Sequence, residues 1–217
     1  MPRGRAARFP QQQQAILQHA ARLFASRGFP GTSMNELAAA AGISKALLYH
    51  YYEDKYQLLV AIAEGHIDRL TALVDEIDAE PLSADVRLRR LIARFVREYA
   101  DAGAHHQVLV QDIKYLDDAD ERRIRDKERH VVKSFARAIA NAHPTLAEKR
   151  LDKPLTMLLF GMMNWMFTWF REGGELGYEE MAQLVTDFVV GGLGHVGAAR
   201  TGSAAEPARK QTRSRKR

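Results

Sequence analysis

The sequence predicts an all-α protein of about nine helices: a small three-helix head followed by a larger helical body. Three observations carry this. Apolar residues recur at i, i+3, i+4 and i+7 along most of the chain, as in Ile16, Ala20, Leu23 and Phe24. Helix breakers punctuate that pattern at Gly42, Pro81, Gly103, Pro144 and Gly173-Gly174. No stretch alternates with the two-residue period of a strand, and no repeat or sustained heptad run is present.

The first helix has Pro10 in its opening turn and runs to about Arg27; Gln11 to Gln14 serve as a polar, helix-compatible start. Next comes a short helix with Thr32 and Ser33 as capping residues, Glu36 at the capping-box offset, and Met34, Leu37, Ala38 and Ala41 on one apolar stripe. Gly42 closes it, Ile43 plugs the junction, and Ser44 caps a second short helix from Lys45 to about Tyr52. Leu48 and Tyr52 then face inward, while Lys45, Ala46, Tyr49 and His50 face outward. Two helices joined by a short turn containing Gly fit a helix-turn-helix, whose second helix enters the major groove of DNA.

Beyond the head, Lys55 opens a helix of about 25 residues ending at Glu80-Pro81, long enough to act as a rigid lever. A helix from Leu82 carries Leu91, Ile92, Phe95, Val96 and Tyr99 and breaks around Gly103. A shorter helix is expected over His106 to Leu116. Asp117 to Asp120 form an acidic N-terminus for a helix running to Ala142 and closed by His143-Pro144. Leu155 to Phe170 is the most apolar segment, but Gly161, Asn164 and Thr168 interrupt it and it falls short of the roughly 20 residues of a membrane span. A helix apolar on nearly every face is expected to be buried on several sides. A last helix follows from Tyr178, with Ala198 onward as linker and basic tail. The expected division is a head over 1–54, a body over 55–197 and a tail over 198–217.

Composition bounds the chemistry. There is no cysteine, which excludes disulfides and thiolate sites. The charge of +5 is concentrated at the two ends: Arg3, Arg5 and Arg8 stand beside the head, where they suit phosphate contact. The six cations from Arg209 to Arg217 fit either DNA contact or solubility. No apolar run follows the basic first residues, so a cytoplasmic protein is expected. No phosphate loop, H-E-x-x-H or nucleophile elbow occurs; His105-His106 are adjacent on a helix and point apart, and His66, Asp68 and His130 lack sequence neighbours to work with. Neither an enzyme nor a metal or cofactor site is expected.

The run GFPGTSMNELAAAAGISKALLYHYYEDKYQLL, Gly28 to Leu59, resembles the DNA-binding signature of the tetracycline-repressor (TetR/AcrR) family of bacterial regulators. Gly28-Phe29, Gly31-Thr32, Ala41-Gly42, Ser44-Lys45, Leu48-Tyr49, Tyr52 and Lys55 fall where that pattern has its counterparts. The departure is at Ala46-Leu47-Leu48, where many members carry Gly and a polar residue; it bears on base preference. The resemblance implies a ligand-responsive transcriptional repressor that binds a palindromic operator in double-stranded DNA as a homodimer. Thr32 and Ser33 should meet phosphate, together with the helix cap Ser44; Lys45, Ala46 and Leu47 should face base edges. Tyr49, His50, Tyr51 and Lys55 should hold the backbone, with His50 in reach of a base. It also implies that the last two helices form a four-helix bundle with their symmetry mates, through residues such as Leu184 and Phe188. Excess apolar surface argues the same way. The other reading is a helical adaptor or small-molecule carrier with a vestigial helix-turn-helix.

For an effector, Phe95, Tyr99, Val108, Leu109, Tyr115, Phe135, Met162, Trp165, Met166 and Trp169 are the candidate pocket lining, soft and bulky as an apolar ligand requires. Val108 to His130 is similar to the corresponding part of family members that sense acyl-coenzyme A (acyl-CoA) thioesters. Arg122, Arg123, Arg125, Lys127 and Arg129 then either neutralise a coenzyme phosphate or form a salt-bridged face with Asp126 and Glu128.

Overall fold

A computed structural model describes residues 8–170 and 174–199. The basic stretches of Arg3 and Arg5 and of 200–217 lie outside the described residues. Among those described there are ten α-helices: α1 Arg8–Arg27, α2 Met34–Ala40, α3 Lys45–Tyr51, α4 Lys55–Ala79, α5 Ala84–Asp101, α6 Gly103–Gln111, α7 Asp118–Ala142, α8 Pro144–Glu148, α9 Asp152–Trp169 and α10 Tyr178–Ala199. No strand occurs among the described residues, so the all-α expectation holds. The most apolar helix, α9, is not long and apolar enough to cross a membrane, and neither is any other described helix.

Local chemistry explains most boundaries. Asp54 caps α4 by accepting from the Gln57 amide at 2.9 Å. The far end of α4 is closed by the Arg87 guanidinium, which donates to the Ile77 and Glu80 carbonyls and so satisfies acceptors the helix leaves open. Asp117 caps α7 through the amides of Ala119 and Asp120 at 3.0 and 2.8 Å; those amides hold its carboxyl below the usual range.

Three boundaries differ from expectation. Gly103 does not break the chain into a loop; only Ala102 separates α5 from α6, and α6 ends at Gln111 before a 3-10 turn over Ile113–Tyr115. The five-residue α8 is additional, with Pro144 in its first turn where a missing N–H costs nothing. The last long pair also begins earlier: α9 starts at Asp152, with Pro154 tolerated in the first turn.

One apolar core runs through head and body without interruption, from Ile16, Phe24 and Leu48 through Leu58, Ile62 and Ile67 to Phe95, Phe135 and Met163. α4 is its spine, packing on α1 at one end and on α5, α6 and α7 along its length. α6 packs against both α1 and α4. Within the single chain α9 buries one side, through Leu159, Phe160, Met163 and Met166, while Leu158 and Trp165 are 70% and 65% exposed. On α10, Leu184 and Phe188 are 54% and 70% exposed. Isolated exposed apolar residues are ordinary, but here large ones recur along both of the last two helices.

Candidate nucleic-acid interface and effector cavity

The helix pair α2–α3 is built by its caps. Ser33 Oγ accepts from the Glu36 amide at 3.3 Å, and the Glu36 carboxylate accepts from the Ser33 amide at 2.9 Å, closing the capping box. The Ser33 amide is also the main reason the Glu36 carboxyl is held below its ordinary value. Gly42 adopts φ +65° at the end of α2, and the Ile43 amide donates back to the Ala38 carbonyl at 3.0 Å. Ser44 Oγ then accepts from the Leu47 amide at 3.1 Å and starts α3. Leu48 and Tyr52 are buried on the inner side; Lys45, Ala46, Leu47, Tyr49 and His50 all face solvent. The Lys45 ammonium lies 5.7 Å from the centre of the Tyr49 ring, so the outer face offers one cation, two hydrogen-bonding rings and two apolar groups.

Three expected DNA-contacting residues sit differently. Thr32 is 2% exposed and its hydroxyl donates to the Gly28 carbonyl at 3.0 Å, which makes the side chain a turn lock. Tyr51 is half-buried and stacks on Phe9 of α1 at 4.7 Å. Lys55 turns its ammonium inward, donating to the carbonyls of Phe29, Pro30 and Thr32 at 2.9, 3.2 and 3.0 Å, with the Phe29 ring 4.6 Å away. All three ammonium donors are thus engaged within the α1–α2 loop. A side chain at Gly31 would approach the Arg27 carbonyl to 2.8 Å, so this loop is also sterically closed.

The same loop is clasped from the body. Phe29 packs on Phe24 at 5.4 Å and on Tyr115 at 5.5 Å. Asp112, buried beside it, has its carboxyl pushed up by burial, with the Phe29 amide opposing that shift. Gln107 of α6 donates to the Ala25 carbonyl at 2.8 Å. Tyr56 ties the start of α4 to α7, donating to Asp120 at 2.8 Å and accepting from the Asp117 amide at 2.9 Å. α6 is thus bonded directly to the head, and α7 to the start of α4.

Within the body a cavity of about 220 Å³ lies among α4, α5, α6, α7 and α9, lined by Leu70, Tyr99, His106, Leu109, Val131, Phe160 and Asn164, with Arg125 and Glu128 also on its wall. A second, of about 170 Å³, is lined by Tyr99, His106, Met163, Met166, Phe167 and Tyr178 among others. Tyr99 and His106, stacked at 3.7 Å, border both. Of the expected pocket residues, Tyr99, Leu109 and Met166 line these spaces. Phe95, Val108 and Phe135 are solid core, Met162 packs half-buried against that core, Tyr115 stands at the head, and Trp165 and Trp169 face solvent.

Sequence reasoning missed His66 and His106 as a pair. His66 Nε2 is 3.2 Å from His106 Nδ1, and the Arg69 guanidinium is 3.2 Å from His66 Nδ1. Burial pushes His66 down to about 2 and His106 to about 4, so both are neutral at physiological pH. His130 and Asp68, without sequence neighbours to work with, find partners in Asp75 and Lys127 at 2.7 and 2.5 Å. No group of three or more metal-ligating side chains assembles among the described residues. Of the cations on α7, Arg123 pairs with Glu64 and Asp120, Arg125 with Glu121 and Glu128, Lys127 with Asp68, and Arg129 with Asp126. The salt-bridged face is the arrangement these residues adopt.

A capped helix pair with an exposed, hydrogen-bonding second helix, clasped to a helical body that carries a partly open cavity, defines a helix-turn-helix transcriptional regulator. Residues 16–62 match the profile "Bacterial regulatory proteins, tetR family", and residues 81–193 match "Tetracyclin repressor-like, C-terminal domain". The chain belongs to the TetR family. It is 26% identical over 187 residues to the transcriptional repressor KstR2 of Mycolicibacterium smegmatis, covering 82% of this chain and 88% of that protein. The fold superposes on a TetR-family regulator from Bordetella parapertussis with a TM-score of 0.77 at 26% identity, over 82% of this chain and 93% of the other. It also superposes on AibR in complex with isovaleryl coenzyme A and operator DNA, with a TM-score of 0.69 at 25% identity, over 82% and 97% of the two chains.

Proposed function

We propose that this protein is a cytoplasmic, non-enzymatic repressor that binds a palindromic operator as a homodimer and is released by an apolar effector, an acyl-CoA thioester. The observation that carries the reading is the line of contacts from the cavity wall to the α1–α2 loop of the head, through α6, Asp112 and Phe29. Residues 1–54 act as the reading head and the helices from Lys55 onward as the sensing and dimerising body. Lys45, Ala46 and Leu47 meet base edges; Ser33, Tyr49 and His50 flank the phosphates, with Ser44 setting the start of α3. Thr32, Tyr51 and Lys55 hold the head in shape. The exposed apolar faces of α9 and α10, including Leu158, Trp165, Leu184 and Phe188, supply the dimer surface.

The resemblance to AibR with its bound isovaleryl coenzyme A supports a thioester effector. Of the five cations between Arg122 and Arg129, four are engaged in ion pairs, leaving Arg122, exposed, to meet a coenzyme phosphate. The effector must bind the DNA-incompetent state more tightly, since a ligand indifferent between states shifts nothing. The test is a salt-dependent gel shift on DNA flanking the protein's own gene, followed by titration with an acyl-CoA panel, using free acids and free coenzyme A as controls. Specific retardation followed by thioester release is expected. Absence of retardation at low salt would leave the adaptor or carrier reading in its place.

A further inference from the structure

The buried histidine pair carries a hydrogen-bond polarity that can be followed atom by atom. A guanidinium has donors only, so at 3.2 Å from Arg69 the Nδ1 of His66 accepts. His66 is neutral, so its single proton is on Nε2, which donates to His106 Nδ1 at 3.2 Å. His106 Nδ1 is then an acceptor, and the one proton of that neutral ring sits on Nε2. This N–H is the end of the chain. It is fully buried and has no hydrogen-bond partner among the described residues. Asn164 is the one hydrogen-bonding side chain that opposes the effect of burial on His106, but it makes no well-aligned bond to Nε2, its Oδ1 accepting from the Tyr99 hydroxyl at 3.1 Å. The His106 ring is held flat against Tyr99, 3.7 Å between centroids at 21°, so the donor cannot rotate away to find solvent.

A buried, oriented, unsatisfied donor costs about 1–3 kcal/mol, and natural proteins retain few of them without a use. His106 is 2% exposed and borders both cavities. We propose that the His106 Nε2–H is the recognition donor of the effector site, and that it selects ligands presenting a carbonyl oxygen on a compact apolar group.

Size supports the same class. The 220 Å³ cavity is below the roughly 300 Å³ at which drug-sized ligand sites begin, so it holds an acyl chain or single ring, with any carrier group left outside. Leu70, Leu109, Val131 and Phe160 supply the apolar wall. Recognition at this atom also reaches the lever directly, because His66 and Arg69 lie on α4 while His106 lies one residue from the Gln107 tie to α1.

The inference rests on the effector reading above, so its test uses probes that do not depend on a thioester. Cyclohexanone and methylenecyclohexane share shape and differ in one acceptor. The full-length protein with ¹⁵N-labelled histidine is titrated with each, following the ring nitrogens by NMR and affinity by displacement of a fluorescent apolar dye. The free protein should show His106 as the neutral Nε2–H tautomer. Cyclohexanone should shift that nitrogen and bind about tenfold more tightly than methylenecyclohexane, the difference made by one hydrogen bond to an otherwise unpaired donor. His106→Phe, which keeps the ring against Tyr99, should bind both probes alike. His106→Gln, which offers an amide N–H, should restore part of the preference and guards against a variant that merely loosens the core. Equal binding of the two probes to the wild type, an Nδ1–H tautomer, or an undiminished preference in His106→Phe would each overturn the proposal. A clear ketone preference combined with no operator release by any acyl-CoA would refute the thioester effector and leave the donor assignment intact.

Discussion

Replacing Lys55 by Met removes the ammonium and keeps the stem. In the native head that ammonium donates to three carbonyls of the α1–α2 loop at 2.9–3.2 Å and lies over the Phe29 ring. A hydrogen bond to a charged group contributes about 1.5–3 kcal/mol when protected, but Lys55 is only half-buried and water can replace it on the Pro30 carbonyl. The three bonds also share one side chain and do not add. A loss of about 2–3 kcal/mol is therefore expected, equivalent to a Tm lower by about 4–12 °C for a chain of this size. Operator affinity should fall for every sequence, because the loop that sets α2 against α1 is loosened. The decisive quantity is the slope of log K against log salt. A lysine that neutralised phosphate would lower the slope by about 0.9 per protomer when removed, whereas an internal lock leaves it unchanged. Denaturant unfolding together with operator binding at four or five salt concentrations measures both. An unchanged stability accompanied by a reduced slope would refute the lock and return Lys55 to the DNA backbone.

Other outcomes follow from the same geometry. Acidification should destabilise the fold: above pH 6.5 neither state protonates His66 or His106, but between 6.5 and about 4 the unfolded chain takes up two protons that the native state refuses. At pH 5.5 this amounts to about 1.4 kcal/mol per ring, or about 3 kcal/mol together, and His105, pushed down to about 4 by burial, adds in the same direction, so urea titrations at pH 7.5 and 5.5 should differ by at least that much; equal midpoints would show the pair is not neutral and buried. Phe188→Arg should dissociate the dimer on a sizing column while circular dichroism still reports helices, and an intact dimer would move the interface away from α10. Lys45→Ala should both weaken binding and flatten the preference among operator variants; an equal loss on every site would remove Lys45 from base reading.

Much of the architecture was legible because it is written locally. Ser33 with Glu36, Gly42 and Ser44 act within four residues of themselves, so the helix-turn-helix and its faces follow from spacing, and Asp117 and His143-Pro144 bracket α7 in the same way. The five residues of α8 are too few to display a period, and Gly103, a residue that commonly ends helices, here begins one. Side-chain partners were less accessible. Lys55 reaches back 26 residues to Phe29, and His66 meets His106 across 40, distances over which periodicity is silent. Trp165 and Trp169 show a related limit: on a helix apolar on both sides, spacing identifies the faces without saying which one meets the chain's own core. Of the pocket residues that spacing did identify, Tyr99 lies on a helix with one apolar face, Leu109 on α6 and Met166 on the buried side of α9.

The division of labour along α6 bears on how such a protein changes over generations. His106 and Leu109 of α6 border the ligand space, while Gln107 and, just beyond its end, Asp112 and Tyr115 hold the head. The opposite walls of the cavity come from α7 and α9, through Val131, Phe160, Met163 and Met166, none of which touches α1, α2 or α3 in these clasps. Substitutions on those walls can reshape the chamber while the transmission piece stays intact. A lineage can thus acquire a new chemical signal by revising one side of the chamber and inherit its genetic output unaltered.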